Sequence, residues 1–351
     1  MSGAAKLLVV GPSWVGDMVM AQSLYRMLAE RPEAPEIHVL APPWSLPVLA
    51  RMPEVTRGLE IDIGHGALEF GQRRRIARGL RTQRYDQAIV LPRSLKAALV
   101  PFLARIPKRT GYLGEYRYGL INDIRPFDER VLNMTVLRFM ALGLERAARA
   151  LPEIPAPRLR VDAEARAQAM RRLELDADRP AVALMPGAEY GPAKRWPAPA
   201  FAALAARLAS DGVAVWILGS AKERPLAQDI LTQADRPLVR NLCGDSTLPE
   251  VIDLLSATRA AVSNDSGLMH IAAAVGTHVV AIYGSSSPQF TPPLTDNKTV
   301  FYEGLSCSPC FQRTCPLQHM DCLNNIGVDA VFAATAGALR TPRPDSEGGH
   351  G

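Results

Sequence analysis

The chain has 351 residues, enough for two domains that each bury a core of their own. Its hydrophobic fraction of 48% and aromatic fraction of 6% are typical of a globular protein, and no apolar run reaches the ~20 residues of a membrane span. The apolar run 7–10 is too short for a signal-peptide core and five cysteines are too few for a disulfide scaffold, so we expect a cytoplasmic protein.

Strand-like and helix-like segments alternate through the first half of the chain. This alternation predicts a parallel, doubly wound sheet. The predicted strands span 6–10, 36–40 and 87–91, and the predicted helices span 18–28, 45–50, 96–104 and 130–150. A basic turn is predicted at 106–111.

The first predicted strand leads into a glycine-containing turn at 11–17. The turn lacks the second glycine of a dinucleotide-binding fingerprint and the Gly-Lys-Ser/Thr of a P-loop. Asp17 stands where this turn meets a helix, a corner whose side chains face a cleft. Its carboxylate fits either an acid favoured by the helix dipole or a general base, and both interpretations stay open at this point.

Arginines are concentrated in one short segment of the first half, although the formal charge of the chain is only +5. The segment fits a solvated helix face or, alternatively, a surface that attracts an anionic membrane or substrate. Nucleic acid is a poorer match, because no aromatic residues interleave and no nucleic-acid-binding motif accompanies the cluster. The clustered residues are Arg73, Arg74, Arg75, Arg78, Arg81 and Arg84.

Three prolines, Pro152, Pro155 and Pro157, indicate a boundary between two α/β halves. We expect an N-terminal domain of residues 1–155, a C-terminal domain of residues 156–340 and a disordered tail of residues 341–351. The predicted fold class is α/β, with two lobes that face each other across a cleft. In the C-terminal domain the predicted strands span 181–185, 214–218, 260–262 and 279–284, and the predicted helices span 162–173, 198–210 and 248–257, with another that ends near 234.

A polar turn, Asn264–Ser266, separates a short strand from a helix of small apolar residues. Side-chain oxygens in this turn suit the cap of the helix, and Gly267 allows another group to approach the backbone. A helix start of this kind offers N–H donors and the positive end of the dipole to a phosphate. An ordinary helix cap in an α/β domain explains the same pattern.

The C-terminal cysteines have the spacing Cys307-x2-Cys310-x4-Cys315-x6-Cys322, with His319 between the last two. This spacing is close to that of structural zinc sites. No second compact Cys-x2-Cys pair is present, so four reduced thiols without a metal are the favoured interpretation, with a zinc cluster as the alternative.

Three segments resemble one family in order and spacing: GPSWVGD at 11–17, PGAEYGPAKRWP at 186–197 and SNDSGLMH at 263–270. The family is glycosyltransferase family 9, the ADP-heptose–lipopolysaccharide heptosyltransferases, and the similarity extends from residue 7 to about residue 330. The cysteine-rich ending is most similar to the type II branch. The resemblance implies a GT-B fold of two Rossmann-like domains, with the acceptor bound by the first and ADP-heptose by the second.

The resemblance also assigns roles to individual residues. Asp17 matches the general base and Lys194 the lysine that faces the donor diphosphate. Glu223 is the better match to an acidic ribose ligand, although the alignment is looser there. The implied donor-binding residues are Glu189, Tyr190, Glu223, Asp265, Ser266, Gly267 and His270. The candidate acceptor-binding residues are Trp14, Arg73, Arg74, Arg93 and Lys96.

The implied reaction is inverting transfer of L-glycero-D-manno-heptose from ADP-heptose onto the first heptose of the lipopolysaccharide inner core, without a required cofactor. The acceptor, heptosyl-Kdo2-lipid A, carries carboxylates and phosphates that arginine binds well, so we expect peripheral contact with the cytoplasmic face of the inner membrane. The alternatives are another sugar-nucleotide GT-B enzyme, such as a type I or III heptosyltransferase or a nucleotide-sugar epimerase, and a non-catalytic, zinc-stabilised anion-binding module.

Overall fold

The computed structural model describes residues 4–341, apart from residues 65, 66, 147 and 149. The chain divides into two compact units: Met1–Arg160 with Gln289–Thr291, and Val161–Pro288 with Pro292–Gly351. The assignment of the acceptor to the first unit and the donor to the second stays a prediction. Of the predicted tail, residues 342–351 lie outside the described residues.

The first unit is built on a six-stranded parallel sheet in which β1 and β4 occupy the centre. The strands are β1 (Lys6–Val10), β2 (Glu36–Ala41), β3 (Arg57–Glu60), β4 (Gln87–Val90), β5 (Lys108–Tyr112) and β6 (Asp123–Arg125). Their spatial order is β3-β2-β1-β4-β5-β6. The helices are α1 (Val15–Ala29), α2 (Leu46–Leu49), α3 (Phe70–Arg81), α4 (Leu95–Leu103) and α5 (Thr135–Gly143). Parallel strands need crossover connections, which explains why helices separate most of them.

The second unit repeats this plan with β7 and β10 at the centre of its sheet. The strands are β7 (Ala181–Met185), β8 (Ala214–Ile217), β9 (Val239–Asn241), β10 (Ala260–Asn264), β11 (His278–Tyr283) and β12 (Lys298–Tyr302). Their spatial order is β12-β11-β10-β7-β8-β9. The helices are α6 (Ala163–Arg172), α7 (Ala198–Ser210), α8 (Arg224–Ala234), α9 (Leu248–Ala257), α10 (Gly267–Ala274), α11 (Asp321–Asn324) and α12 (Val328–Arg340).

Both sheets have the strand order of the Rossmann fold, in which the direction of winding reverses beside the first strand. The central strands β7 and β10 are buried along their whole length, as expected for parallel strands covered on both faces. The expected α/β class with two Rossmann-like domains is confirmed.

Two predicted elements of the first unit are wrong. The segment 106–111 contains β5 rather than a turn, because Thr110 and Gly111 are buried in the sheet while only the polar start of the strand is accessible. The helix predicted at 130–150 is limited to α5. Gly143 ends it against α1, where a Cβ would collide with Leu24.

No helix in the described part of the chain is both long and apolar enough to cross a bilayer.

Candidate active site

The segments that resemble the family follow the central strands of the two sheets. The turn 11–17 follows β1, and the segments 186–197 and 263–270 lie at the ends of β7 and β10. In doubly wound sheets ligands bind beyond the carboxyl ends of the strands, where the strand order reverses. Each unit therefore places its family segments at the position where a ligand is expected.

Asp17 lies in the first turn of α1, where the helix dipole favours its negative charge. The side chain is half-buried and lines a cavity of about 270 Å³ within the first unit. Trp14, the residue before the helix, is 44% exposed and does not line this cavity. The cavity is lined by Asp17, Leu91, Arg93, Tyr112, Phe127, Thr135, Arg138, Phe139, Phe290 and Thr291.

The structure separates the candidate acceptor residues into different environments. Arg93 lines the cavity that contains Asp17. Arg74 is exposed on α3 and Lys96 is half-buried on α4, and neither lines that cavity. Arg73 is buried, and its guanidinium donates hydrogen bonds to the carbonyl oxygens of Leu68, Lys96 and Ala67. The assignment of Arg73 to the acceptor is therefore withdrawn, because all three of its nitrogens hold neighbouring backbone in place.

Lys194 and Asp265 form the central pair of the second unit. The lysine ends a short 3₁₀ helix, Pro192–Lys194, and its Nζ lies 2.6 Å from Oδ2 of Asp265 at the end of β10. Lys194 Nζ also lies 5.2 Å from the centre of the Tyr190 ring, a cation–π distance. The pairing thus brings together three of the predicted site residues from two separate segments.

The prediction that side chains of the turn Asn264–Ser266 cap α10 is wrong. Ser266 makes no side-chain capping bond, and Asp265 pairs with Lys194. Asn264 accepts a hydrogen bond from the backbone N–H of Trp196 and donates one to the carbonyl of Pro186. These side chains connect β10 to the loop after β7, which leaves the first N–H groups of α10 for other acceptors, including a phosphate.

His270 is buried in α10, one turn after its start, and is only 4% exposed. Burial lowers its pKa from 6.5 to about 4, against the opposing effect of the Asp265 carboxylate, and Lys194 lowers it further. The imidazole is therefore neutral near pH 7. It sits close enough to the Lys194–Asp265 pair for both charges to act on it.

The two predicted acidic donor residues differ in their surroundings. Glu223 accepts a hydrogen bond from the backbone N–H of Ser220 at 2.6 Å, in a capping box at the end of β8. Its carboxylate lies over Gly187, where any Cβ would collide with it. Glu189 is more than half exposed and pairs with Lys222 across 3.3 Å. Both carboxylates lie on loops that follow adjacent strands of the second sheet.

The cysteine-rich segment packs directly on the loop that carries Lys194, a relationship that the sequence did not reveal. Tyr190 donates a hydrogen bond to the carbonyl of Phe311, and the backbone N–H of Ala193 donates one to the carbonyl of Arg313. Gly191 is required here because a Cβ would collide with the same Arg313 carbonyl. The Arg313 guanidinium lies 5.2 Å from the Tyr190 ring, which adds a second cation to this loop.

The cysteines are free thiols. Across the described residues, no group of three or more His, Cys, Asp and Glu side chains is arranged to hold a metal ion. Backbone N–H groups of the segment 317–320 donate to the Cys315 sulfur and lower the pKa of its thiol, most strongly through Met320.

The chain is similar to proteins of one family along most of its length. The profile of glycosyltransferase family 9 (heptosyltransferase) matches residues 73–321, a span that excludes Asp17. Lipopolysaccharide heptosyltransferase 2 of Escherichia coli K12 is 47% identical over 303 residues, which cover 84% of this chain and 87% of that protein. Lipooligosaccharide heptosyltransferase 2 of Haemophilus influenzae is 46% identical over 306 residues, with the same coverage of both chains.

The solved structure of E. coli ADP-heptose lipopolysaccharide heptosyltransferase II superposes with a TM-score of 0.86 at 40% identity, over 95% of this chain and 98% of that one. The profile match and the identity to both relatives extend over most of the chain. The chain therefore belongs to glycosyltransferase family 9, the heptosyltransferases.

Proposed function

We propose that this protein is a type II heptosyltransferase that moves L-glycero-D-manno-heptose from ADP-heptose onto the first heptose of the lipopolysaccharide inner core, with inversion. The relatives that match most of the chain bear the heptosyltransferase 2 name. The observation that carries the proposal is the Lys194–Asp265 pair beside the start of α10, because the ammonium group and the first backbone N–H groups of this helix are donors that suit a diphosphate.

In this proposal the donor binds in the second unit. An ammonium group has three N–H donors, so Lys194 can keep its bond to Asp265 and still donate to the diphosphate. The neutral imidazole of His270 adds no charge of its own, and Arg313 places a second cation near Tyr190. Positive charge aimed at the diphosphate stabilises the leaving group, so the proposal requires no cofactor.

The first unit supplies the base. Asp17 removes the proton from the acceptor hydroxyl, whose oxygen attacks the anomeric carbon of the heptose from the side opposite the diphosphate. As the new C–O bond forms, the bond between the anomeric carbon and the diphosphate breaks, and its electron pair leaves with ADP. Exclusion of water from the reacting groups prevents hydrolysis of the donor.

The anionic acceptor also explains the exposed arginines of the first unit. Arg74, Arg75 and Arg78 project from the outer face of α3, a helix without acidic residues. Arg81, Arg84 and Arg105 line a cavity of about 360 Å³ where α3 and α4 end. In the proposal this basic face contacts the anionic surface of the inner membrane that holds the lipid acceptor.

The decisive experiment incubates the protein with ADP-heptose and two defined acceptors, one that carries the first heptose and one that lacks it. Product from the first acceptor only is expected. Product from the heptose-free acceptor would indicate a type I enzyme instead. Conversion of a UDP-sugar without any acceptor would indicate an epimerase, and anion binding without turnover of any donor would indicate a non-catalytic module.

A further inference from the structure

Two arginines share one aromatic ring in the cavity beside Asp17. The guanidinium carbon of Arg93 lies 4.4 Å from the centre of the Phe127 ring, and that of Arg138 lies 5.0 Å from the same centre. The guanidinium carbon of Arg138 also lies 4.6 Å from the centre of the Phe290 ring. All four side chains line the cavity together with Asp17. The aromatic faces fix the planes of the guanidinium groups, so their N–H edges are left for an acceptor.

Phe290 belongs to a segment that returns to the first unit for three residues, Gln289–Thr291. The backbone N–H of Thr135, at the start of α5, donates to the Phe290 carbonyl at 3.0 Å. Arg138 lies one turn later on α5 and donates its Nε–H to the carbonyl of Leu132. The position of Arg138 is thus set by two rings and a backbone bond rather than by a carboxylate.

The neighbouring arginines differ from this pair. Arg117 is buried and donates to the carbonyl oxygens of Tyr112, Pro92 and Ser94, and Arg125 pairs with Asp123 at 3.1 Å. Within the described residues, neither Arg93 nor Arg138 forms an ion pair with a carboxylate. Burial and the charge of Arg93 both lower the pKa of Arg138, although Glu129 opposes them. The two guanidinium groups are like charges held beside one ring, an arrangement that favours an anion able to bind both.

We propose that Arg93 and Arg138 bind an anionic group of the acceptor, a carboxylate or a phosphate, and thereby place the acceptor hydroxyl beside Asp17. The inference rests on the proposed function, since it takes the anion from the same acceptor. A planar guanidinium binds either oxyanion through two parallel N–H bonds. Phe127 acts as a positioning residue, because it holds both guanidinium groups without touching the anion.

The test measures binding of the delipidated acceptor oligosaccharide by calorimetry in the absence of donor. Arg93→Gln and Arg138→Gln are each expected to weaken binding about 10- to 100-fold, the effect of losing one charge-assisted bidentate contact. Phe127→Leu should weaken it less, and ADP affinity should stay at the wild-type value in all three variants. Arg130→Gln is the matched control, because Arg130 is 88% exposed and pairs with Asp128 outside the cavity.

A dephosphorylated oligosaccharide separates the two anions. If Arg138→Gln still weakens its binding, the group is a carboxylate; if the difference disappears, it is a phosphate. Wild-type affinity in both arginine variants, a parallel loss of ADP affinity, or no binding by the wild type would overturn the proposal. A wild type that binds the oligosaccharide but transfers no heptose would contradict the proposed function and leave this inference intact.

Discussion

Lys194 Nζ lies 2.6 Å from Asp265 Oδ2, and the two side chains are only 18% and 5% exposed. Each charge therefore offsets most of the desolvation free energy of the other. Lys194→Met should lower turnover by about two to three orders of magnitude, because the leaving group loses its nearest cation. The same change should lower the free energy of unfolding by about 3 kcal/mol, because Asp265 is left buried without its partner.

The double variant Lys194→Met with Asp265→Asn separates these two effects. Removing both charges should restore most of the stability in chemical denaturation, while turnover stays low. Recovery of turnover in the double variant would show that the lysine is needed only to neutralise Asp265.

Asp17→Asn should lower the rate of transfer by about two to four orders of magnitude, since an amide cannot accept the acceptor proton. ADP binding should remain unchanged, because the proposed donor site lies in the other unit. Steady-state kinetics and ADP titration measure the two quantities. Asp62→Asn, at an exposed carboxylate of the same unit, is the control and should behave as the wild type. Near-normal transfer by Asp17→Asn would remove this residue as the base.

Local signals predicted much of the second unit. The predicted helices 248–257 and 198–210 have the bounds of α9 and α7. In the structure, Thr247 and Glu250 form a reciprocal capping box at the start of α9, and Pro197 precedes α7. The polar turn Asn264–Ser266 carries a similar signal, yet its side chains bond to Trp196, Pro186 and Lys194 instead. Local sequence cannot distinguish a cap from a bond to a residue about seventy positions away.

The residues that line the cavity beside Asp17 also come together from distant parts of the chain, which local sequence does not predict. Arg93 was predicted as a site residue from its charge, but Phe127, Arg138 and Phe290 were not, because each lies in an ordinary helix or loop pattern. They meet only through the parallel sheet and the short return of 289–291 to the first unit. Arg73 shows the opposite error, a residue assigned to the acceptor from sequence that the structure buries. Its sequence environment resembles that of Arg74, and only the packing of α3 shows that it is buried.

The depressed pKa of His270 predicts a dependence of stability on pH. The unfolded chain protonates this residue near pH 6.5, whereas the native imidazole resists protonation until about pH 4. The unfolded state therefore binds more protons between these values. The contribution of His270 to the free energy of unfolding is complete above pH 6.5 and is lost as the pH falls toward 4. The contribution is at most about 3 kcal/mol. His270→Gln should flatten the decline of the unfolding free energy across this window, and an unchanged slope would contradict the assignment.

Cys315 should be the most reactive thiol of the chain. Backbone N–H groups lower its pKa, whereas burial raises the pKa of Cys243 to about 12 and that of Cys322 above its usual value. Thiolates react faster than thiols, so iodoacetamide near neutral pH should label Cys315 before Cys307 and Cys310, as followed by peptide mass spectrometry. Faster labelling of Cys307 or Cys310 would contradict this order. Protection of all of them until a chelator is added would establish the zinc cluster instead.

The basic face of α3 should make membrane binding sensitive to salt. Arg75 and Arg78 are exposed and three residues apart, so they lie on one side of the helix. Each basic residue near an anionic surface contributes about 1 kcal/mol. Arg75→Gln with Arg78→Gln should therefore weaken binding to phosphatidylglycerol vesicles by about 10- to 30-fold at low ionic strength. Raising the salt concentration should remove most of the difference, because the charges are screened.

Arg171→Gln with Arg340→Gln removes the same charge from exposed positions of the second unit and should leave binding unchanged. Equal losses in both double variants would indicate that net charge, rather than this face, determines the interaction. Cosedimentation with phosphatidylglycerol and phosphatidylcholine vesicles distinguishes these outcomes, since the neutral vesicles should bind neither the wild type nor the variants.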